Sequence, residues 1–568
     1  MRRVRGMWLV ALGLILLAAP LFAGPGSEKP PAAGGTQWTI PYKGPEVELS
    51  VWMMTPAENP QDVVDKPNPY TAAQMKRLGN IKWKIYGNAV ADYDARFPVL
   101  AASGPLYDIN VVRSAPETTR NFGPSGQMLN LMDYLDKVPN AKKWLLDKYP
   151  KTLTGTTKDG KPGWFVVGVT GDGLTEMPEV YLYNKTLLDK YGIAVPKTSD
   201  EMLAAMKKLK AADPKIIPWI YMWKSFADMV WYSGLHDMFT QIRPTSIWWQ
   251  PAKNKWVYGP IEPDGGLKET LQFVHEMYKN GLTNPDQESQ TGDQFKAIAQ
   301  SGLWGFTYTY YNEARVQPNG KGMILAGKRY EIKGMEIPKG TTGKNYLLWG
   351  SRAGGPGWGT CFNAKTKYPE LIAALVNYMW SDENILAMNY GIEGETYTKD
   401  ASGNPKFLPD WNTAITPTGY KDLNNWGLGS GVFPHAGVNF QSVRFNRYYD
   451  LGILGEAAVQ VRALRDGKYS GQILEFDPNE YMDKVFTAAE NDQIGKIMGP
   501  ANTYVEENVS KFVKGQRSFD DWPAFVQELK NMGVEKAVEI FNARKTTPPA
   551  AWTKDELNSM LKSMYQVP

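Results

Sequence analysis

The chain has a single cysteine, Cys361, among 568 residues, so no intrachain disulfide can form, and nothing near this thiol marks it as a nucleophile. Histidine is equally scarce: three in the whole chain are few for a metal or acid–base enzyme. No paired cysteines and no His-Glu-x-x-His stretch exist to hold zinc. "GPSG" and "RAGGPGWG" (352–359) contain glycines but lack the Walker and Gly-x-Gly-x-x-Gly patterns, so they read as turns and not as phosphate cradles. A Gly-x-Ser-x-Gly nucleophile elbow is absent as well. Charge of one sign is also missing. The formal net charge is +4, and it falls to about +1 without Arg2, Arg3 and Arg5. That balance supplies no electrostatic reason to expect nucleic acid or an anionic membrane surface.

Long apolar runs are confined to the beginning. Arg2, Arg3 and Arg5 precede an apolar stretch from Met7 to Ala19, and Leu21-Phe22-Ala23 offers a small residue before a cut. A positive segment, a short apolar core and a small-residue exit have the pattern of a secretory signal, expected to span residues 1–23. No cysteine stands at the cut to carry a lipid. The expected product is secreted to the periplasm or the extracellular space without a lipid anchor.

Aromatic residues are what the chain has in abundance: 20 Trp, 30 Tyr and 20 Phe. "LWGFTYTYYNEARVQ" (303–317) crowds five rings between Trp304 and Tyr311. Trp304, Phe306, Tyr308 and Tyr310 are two apart, so a strand would set all four on one face. That face is either lobe core or a platform on which something flat stacks. Further clusters occur at "PWIYMWKSF" (218–226), "IWWQ" (247–250), "YLLWGSRAGGPGW" (346–358) and "NNWGLG" (424–429). Saccharide rings present apolar C–H faces that suit Trp and Tyr, and each large ring buries at most roughly 150–250 Å². Together with export, these clusters favour a carbohydrate ligand over others.

Along the chain, residues 24–45 are rich in Gly and Pro and read as a tether. "VELSVWMM" (47–54) alternates like a strand, and "IKWKIYGN" like another, with helical stretches between and after them. Strands alternating with helices predict α/β lobes, and a chain this long predicts at least two. In "VPKTSDEMLAAMKKLKAADP", Thr198 and Glu201 have capping-box spacing, Met202, Met206 and Leu209 share a face, and Pro214 ends the run. In "QRSFDDWPAFVQELKNMG", Ser518 caps a helix whose apolar stripe is Phe525, Val526, Leu529 and Met532. "KDGKPGWFVV" predicts a hairpin turn leading into a strand.

Two chemical alternatives are weighed on the residues. "NPDQESQTGDQF" places Asn284, Asp286 and Glu288 like half a calcium loop, but it lacks the mid-loop glycine and has Phe295 at the twelfth position. A capped loop leading into a helix is the stronger reading. Glycoside hydrolysis needs only two suitably spaced carboxylates. Glu393 with Glu395, or Asp92 with Asp94, would serve, but 59 acids offer many such pairs by chance.

The stretches "DYDARFPVLAASGPLYDI", "VYLYNKTLLDKYGIAVPKTSDEML", "YKNGLTNPD", "KTKYPELIAALVNYMWSDE", "NYGIEGETYT" and "ANTYVEENVSKFVKGQRSFDDWPAFVQELKNMGVEKAVEIF" run through most of the chain. In them the chain resembles the family 1 extracellular solute-binding proteins, the receptors of carbohydrate ABC importers, and within these the LipO-like lipoproteins. The lipidation cysteine common in that branch is missing here.

The resemblance implies an α/β fold of the two-lobed periplasmic-binding-protein type (type II-like), with the ligand enclosed between lobes joined by hinge strands. It places the N-terminal lobe at 46–168 plus 350–398 and the C-terminal lobe at 169–349 plus 399–568. Crossings are expected near Gly168, Trp349–Gly359 and Glu395–Lys399. Family members that take oligosaccharides line the cleft with Trp and Tyr. The resemblance thus carries the binding role to Trp304, Tyr308, Tyr310 and Trp223, then to Trp349, Trp358, Tyr397, Trp426 and Trp52. Asp92, Asn312, Glu313 and Arg352 stand beside them as hydrogen-bonding candidates. Phe306 is expected in the core. The implied activity is reversible capture of a carbohydrate and its delivery to a membrane permease by a monomer, with no catalytic residue, cofactor or metal and no nucleic-acid partner. The alternatives are an exported glycan hydrolase and a receptor for peptides or another non-sugar solute.

Overall fold

The first strand, Tyr42–Met54, begins five residues earlier than its alternation predicts: Tyr42 already pairs with Gly79, and a register shift separates that pair from Val47↔Ile81. From Val47 onward the strand runs parallel to Gly79–Asn88, putting Trp52 opposite Tyr86 and Met54 opposite Asn88. The helix between them, Pro69–Leu78, starts on Asn68, whose side chain accepts from the Thr71 amide, with proline at its first turn. The following helix, Val90–Ser103, returns the chain to Ile109–Val112, which pairs with the other side of the first strand. Two antiparallel partners complete a five-stranded sheet ordered 79–88, 42–54, 109–112, 359–362, 166–168. The computed structural model describes residues 38–54, 59–88, 90–168, 170–171, 179–222, 225–227, 244–263, 266–310, 323–325, 328–340, 343–349, 357–408, 438–439, 451–474, 476–563 and 565.

A second sheet holds the strands 332–334, 179–184, 304–310 and 217–220 in that order. Trp304–Tyr310 runs parallel to Ile217–Ile220 and antiparallel to Glu179–Asn184. Its covering helix, Ser199–Ala212, starts on Thr198, which accepts from the Glu201 amide; Glu201 in turn accepts from the Lys197 amide rather than from that of Thr198. Met202, Met206 and Leu209 are fully buried beneath it, as their spacing requires. Near the C-terminus, Ser518 opens a 3₁₀ turn that passes into Trp522–Asn531, where Phe525 and Leu529 are buried and Val526 and Met532 pack beside them. The predicted hairpin joins Thr154–Thr156 to Pro162–Trp164.

The chain leaves the first sheet after 166–168 and enters the second at 179–184, and it leaves the second after 332–334 and returns to the first at 359–362. Short parallel ladders lie on these passages, 170–171 with 438–439 and 346–349 with 471–474. No helix among the described residues is long and apolar enough to cross a membrane.

Candidate functional site at the carboxyl edges of the sheets

In the first sheet the chain goes from the first strand to one neighbour and then crosses to the other side. The strand order therefore reverses between 42–54 and 109–112. In open α/β sheets, the crevice outside the carboxyl ends at such a switch point is where ligands bind. Here those ends carry Met54 and Arg113, and the antiparallel strand 359–362 brings Trp358 to the same edge. The Ala115 amide donates to the Gly357 carbonyl at 2.7 Å and ties the two loops together. Arg113 is exposed, and its Cζ lies 5.2 Å from the centroid of the half-buried Trp358 ring. A guanidinium against an indole gives a surface that is both apolar and hydrogen-bonding. On the first strand Trp52 is buried, stacked on Phe97 at 5.7 Å, and Phe97 meets Phe122 edge-on at 5.6 Å. Trp52, a candidate for the cleft, is therefore core in this arrangement.

At the second sheet the carboxyl ends of 217–220 and 304–310 share an edge with the amino end of 179–184, since Tyr310 pairs with Glu179. The aromatic spacing of this strand is resolved inward. Trp304 is fully buried, and its indole N–H donates at 3.0 Å to both the Ala299 carbonyl and the Tyr330 hydroxyl. Its ring therefore offers a ligand no face in this arrangement. Phe306 is fully buried, as expected. Tyr308 is 5% exposed and packs on Tyr181 at 4.8 Å. Burial holds the Tyr181 hydroxyl well above the usual tyrosine range, so it stays protonated.

The calcium-like stretch serves a different end. Asn284 accepts from the Asp286 amide and donates to Gln290, while Gln287 and Gln290 both donate to the Tyr221 carbonyl at 3.2 and 2.7 Å. It braces the strand end at 217–220. Among the described residues no group of three His, Cys, Asp or Glu side chains is placed to hold a metal ion. Tyr397 is buried against Tyr390 at 5.7 Å, and Glu393 pairs with Lys399 at 2.9 Å. Cys361 is fully buried in the first sheet, and burial pushes its thiol up, away from the reactive thiolate.

Of the remaining candidates, Tyr310 and Trp349 end their strands and Asp92 lies in the helix 90–103, but their side chains fall outside the described residues. Trp223, Asn312, Glu313, Arg352 and Trp426 lie outside them altogether. Arg113 is the residue the sequence reading missed. Its signal is present in "INVVRSAPE": a β run, then a basic residue, then Ser114, which caps the next helix by accepting from Glu117.

Two α/β sheets joined by repeated passages of the chain, one of them reversing its strand order at an edge that carries Arg113 and Trp358, have the organisation of a lobed binding protein. Residues 69–409, more than half of the chain, match the model of the bacterial extracellular solute-binding protein family, and the chain belongs to that family. The fructooligosaccharide ABC transporter substrate-binding protein FusA of Streptococcus pneumoniae is 19% identical over 81% of this chain and 83% of its own. Among solved structures, the alginate-binding protein AlgQ2 aligns with a TM-score of 0.68 at 18% identity, over 88% of this chain and 98% of its own. A FusA variant in complex with fructo-nystose aligns at 0.65 and 17% over the same shares. An HMO-binding solute-binding protein of Bifidobacterium longum infantis aligns at 0.62 and 16%, again over the same shares. The fold is thus that of the two-lobed solute-binding proteins.

Proposed function

We propose that this protein captures an oligosaccharide between its two lobes and delivers it, unchanged, to an ABC-transporter permease. The observation that carries the reading is the Arg113–Trp358 pair, an exposed cation against an indole at the topological switch point of a sugar-receptor fold. Relatives that take fructooligosaccharides and alginate support the ligand class. The family is one of binding proteins, which sets the hydrolase alternative aside.

The proposed contacts are Arg113 and Trp358 from the first lobe, with Trp223, Tyr310, Asn312 and Glu313 from the second. Trp349, Arg352, Trp426 and Asp92 are proposed as further contacts. The lobes are drawn at 46–168 plus 350–408 and 169–349 plus 409–568. The third crossing is drawn later than first placed, because Phe407 and Leu408 still pack with Tyr70, Ala387 and Met388. Closure by hinge motion puts ligand contacts from both lobes together, and the ligand shifts the balance only by its preference for the closed form. The protein acts outside the cytoplasm, as a freely diffusing monomer without a lipid anchor or a nucleic-acid partner. Its branch is the LipO-like one.

A thermal-shift screen of residues 24–568 against neutral and acidic oligosaccharides tests this, with chromatography of the recovered sugar. A raised midpoint with intact sugar supports the reading. Cleaved sugar, or stabilisation by peptides alone, overturns it.

A further inference from the structure

The described residues contain a polar contact that joins the two proposed lobes through side chains other than those proposed for the ligand. On the first-lobe side are the helix Ala115–Phe122, which carries Arg120, and the helical turn Pro150–Leu153, which carries Lys151 and Thr152. On the other side is the short helix Pro478–Tyr481, capped by Asp477. This short helix belongs to the second lobe. Phe476 packs on Trp256 at 5.5 Å, Met482 lies in a buried cluster with Trp249, Trp256 and Ile540, and the Asp483 amide donates to the Lys545 carbonyl.

Lys151 reaches across and donates to the Met482 carbonyl at 2.6 Å and to the Glu480 carbonyl at 3.5 Å. Those acceptors lie at the carboxyl end of the short helix, where carbonyls lack intrahelical partners and a cation is favoured. In effect one lobe supplies the terminal cap of a helix in the other. The buried Thr152 hydroxyl contacts the Glu480 carboxylate at 3.4 Å, and Arg120 stands 3.9 Å from Asp477. Each contact depends on the relative position of the lobes to within about an ångström, because hydrogen bonds weaken steeply with distance and angle. The helix Ala115–Phe122 lies beside Val166–Gly168, the last strand of the first sheet before the chain reaches the second, and the turn Pro150–Leu153 packs on that helix. The half-buried Glu480 carboxyl is itself held above the usual range, by burial first and by Asp477 second.

We propose that Lys151 and Thr152, gripping Glu480 and Met482, form a latch beside the crossing that favours the lobe arrangement seen here and so sets ligand affinity from a distance. These are positioning residues and touch no ligand. The proposal rests on the hinged two-lobe reading, and it is tested without any ligand. Dyes placed on Lys76→Cys in the first lobe and Gln272→Cys in the second report the inter-lobe distance, since both positions are exposed and the native Cys361 is buried.

In ligand-free protein, Lys151→Met and Thr152→Val should each shift or broaden the distance distribution. Lys151→Arg should restore most of it, and Lys161→Met, an exposed lysine of the same lobe, should leave it alone. Where an oligosaccharide ligand has been found, the first two should also change Kd by about threefold or more. Unchanged distributions in correctly melting variants would overturn the latch. Failure of every sugar to bind would overturn the proposed function and leave the distance result readable.

Discussion

The two sheets place their aromatic residues differently. In the second sheet the period-two rings face inward: Trp304 and Phe306 are fully buried, and Tyr308 packs on Tyr181. In the first sheet the carboxyl edge keeps Arg113 exposed and Trp358 half-buried, while Trp52 is buried against Phe97. Regular spacing within a strand therefore marks a buried face. The residues left facing outward come just after or just before a strand, where no periodicity applies. A large amphipathic ring in mid-strand is covered by the neighbouring helix; one in a loop at the switch point is not.

The comparison breaks most visibly if Trp304 proves not to be core. Trp304→Ala should cost about 3–5 kcal/mol, from the cavity left among Ile220, Phe295, Ala299 and Tyr330 and the loss of both indole hydrogen bonds. Urea and thermal midpoints should both fall; an unaltered midpoint with lost ligand binding would place the ring in the cleft instead. Next in size is Gly305→Ala. A Cβ there would lie 2.3 Å from Leu209 Cδ1 and 2.9 Å from the Pro218 carbonyl oxygen, and the backbone oxygen cannot swing aside. About 1–3 kcal/mol of stability should go, read by the same denaturation.

The first sheet should answer in the opposite currency. Trp358→Ala and Arg113→Ala are each expected to weaken oligosaccharide binding about tenfold, or about 1.4 kcal/mol, by isothermal calorimetry. Their melting points should stay close to that of the parent. Arg113→Lys should recover part of the affinity, since it keeps the charge but loses the planar guanidinium. A large stability loss with unchanged affinity would make the two edges alike.

The smallest effect concerns Glu480, between the lobes. Its folded pKa is raised above the ordinary 4.5, chiefly by burial, with Asp477 adding and Thr152 and Lys151 opposing. The folded protein then binds more protons than the unfolded chain over that window. Stability should fall as pH rises from about 4.5 through the folded value, and Glu480→Gln should lack that slope. Denaturation midpoints of both proteins between pH 4 and 7 measure it; parallel curves would show the carboxyl to be unperturbed.

Much of the architecture was legible in the chain. The buried faces of 199–212 and 522–531 follow from apolar spacing after a capping residue, and the hairpin 154–164 from its turn residues. Strand–helix alternation pointed to α/β lobes because each strand must bury both faces under helices. The site was less legible. Trp304 and Tyr308 looked like platform residues because a strand's period does not say which side a helix covers. Arg113 was invisible to a search for aromatics, and what makes it a candidate is Trp358, brought beside it from 245 positions away by antiparallel pairing of 359–362 with 109–112.

By itself the sequence determined the local elements, the helix caps, the inert thiol and the class of ligand to look for, because these depend on residue type and spacing along one segment. Tertiary structure alone decided which rings became core, that Arg113 meets Trp358, and that Lys151 caps the distant helix 478–481. Those outcomes depend on which distant strands and helices pack together, and chain separation carries no trace of that choice.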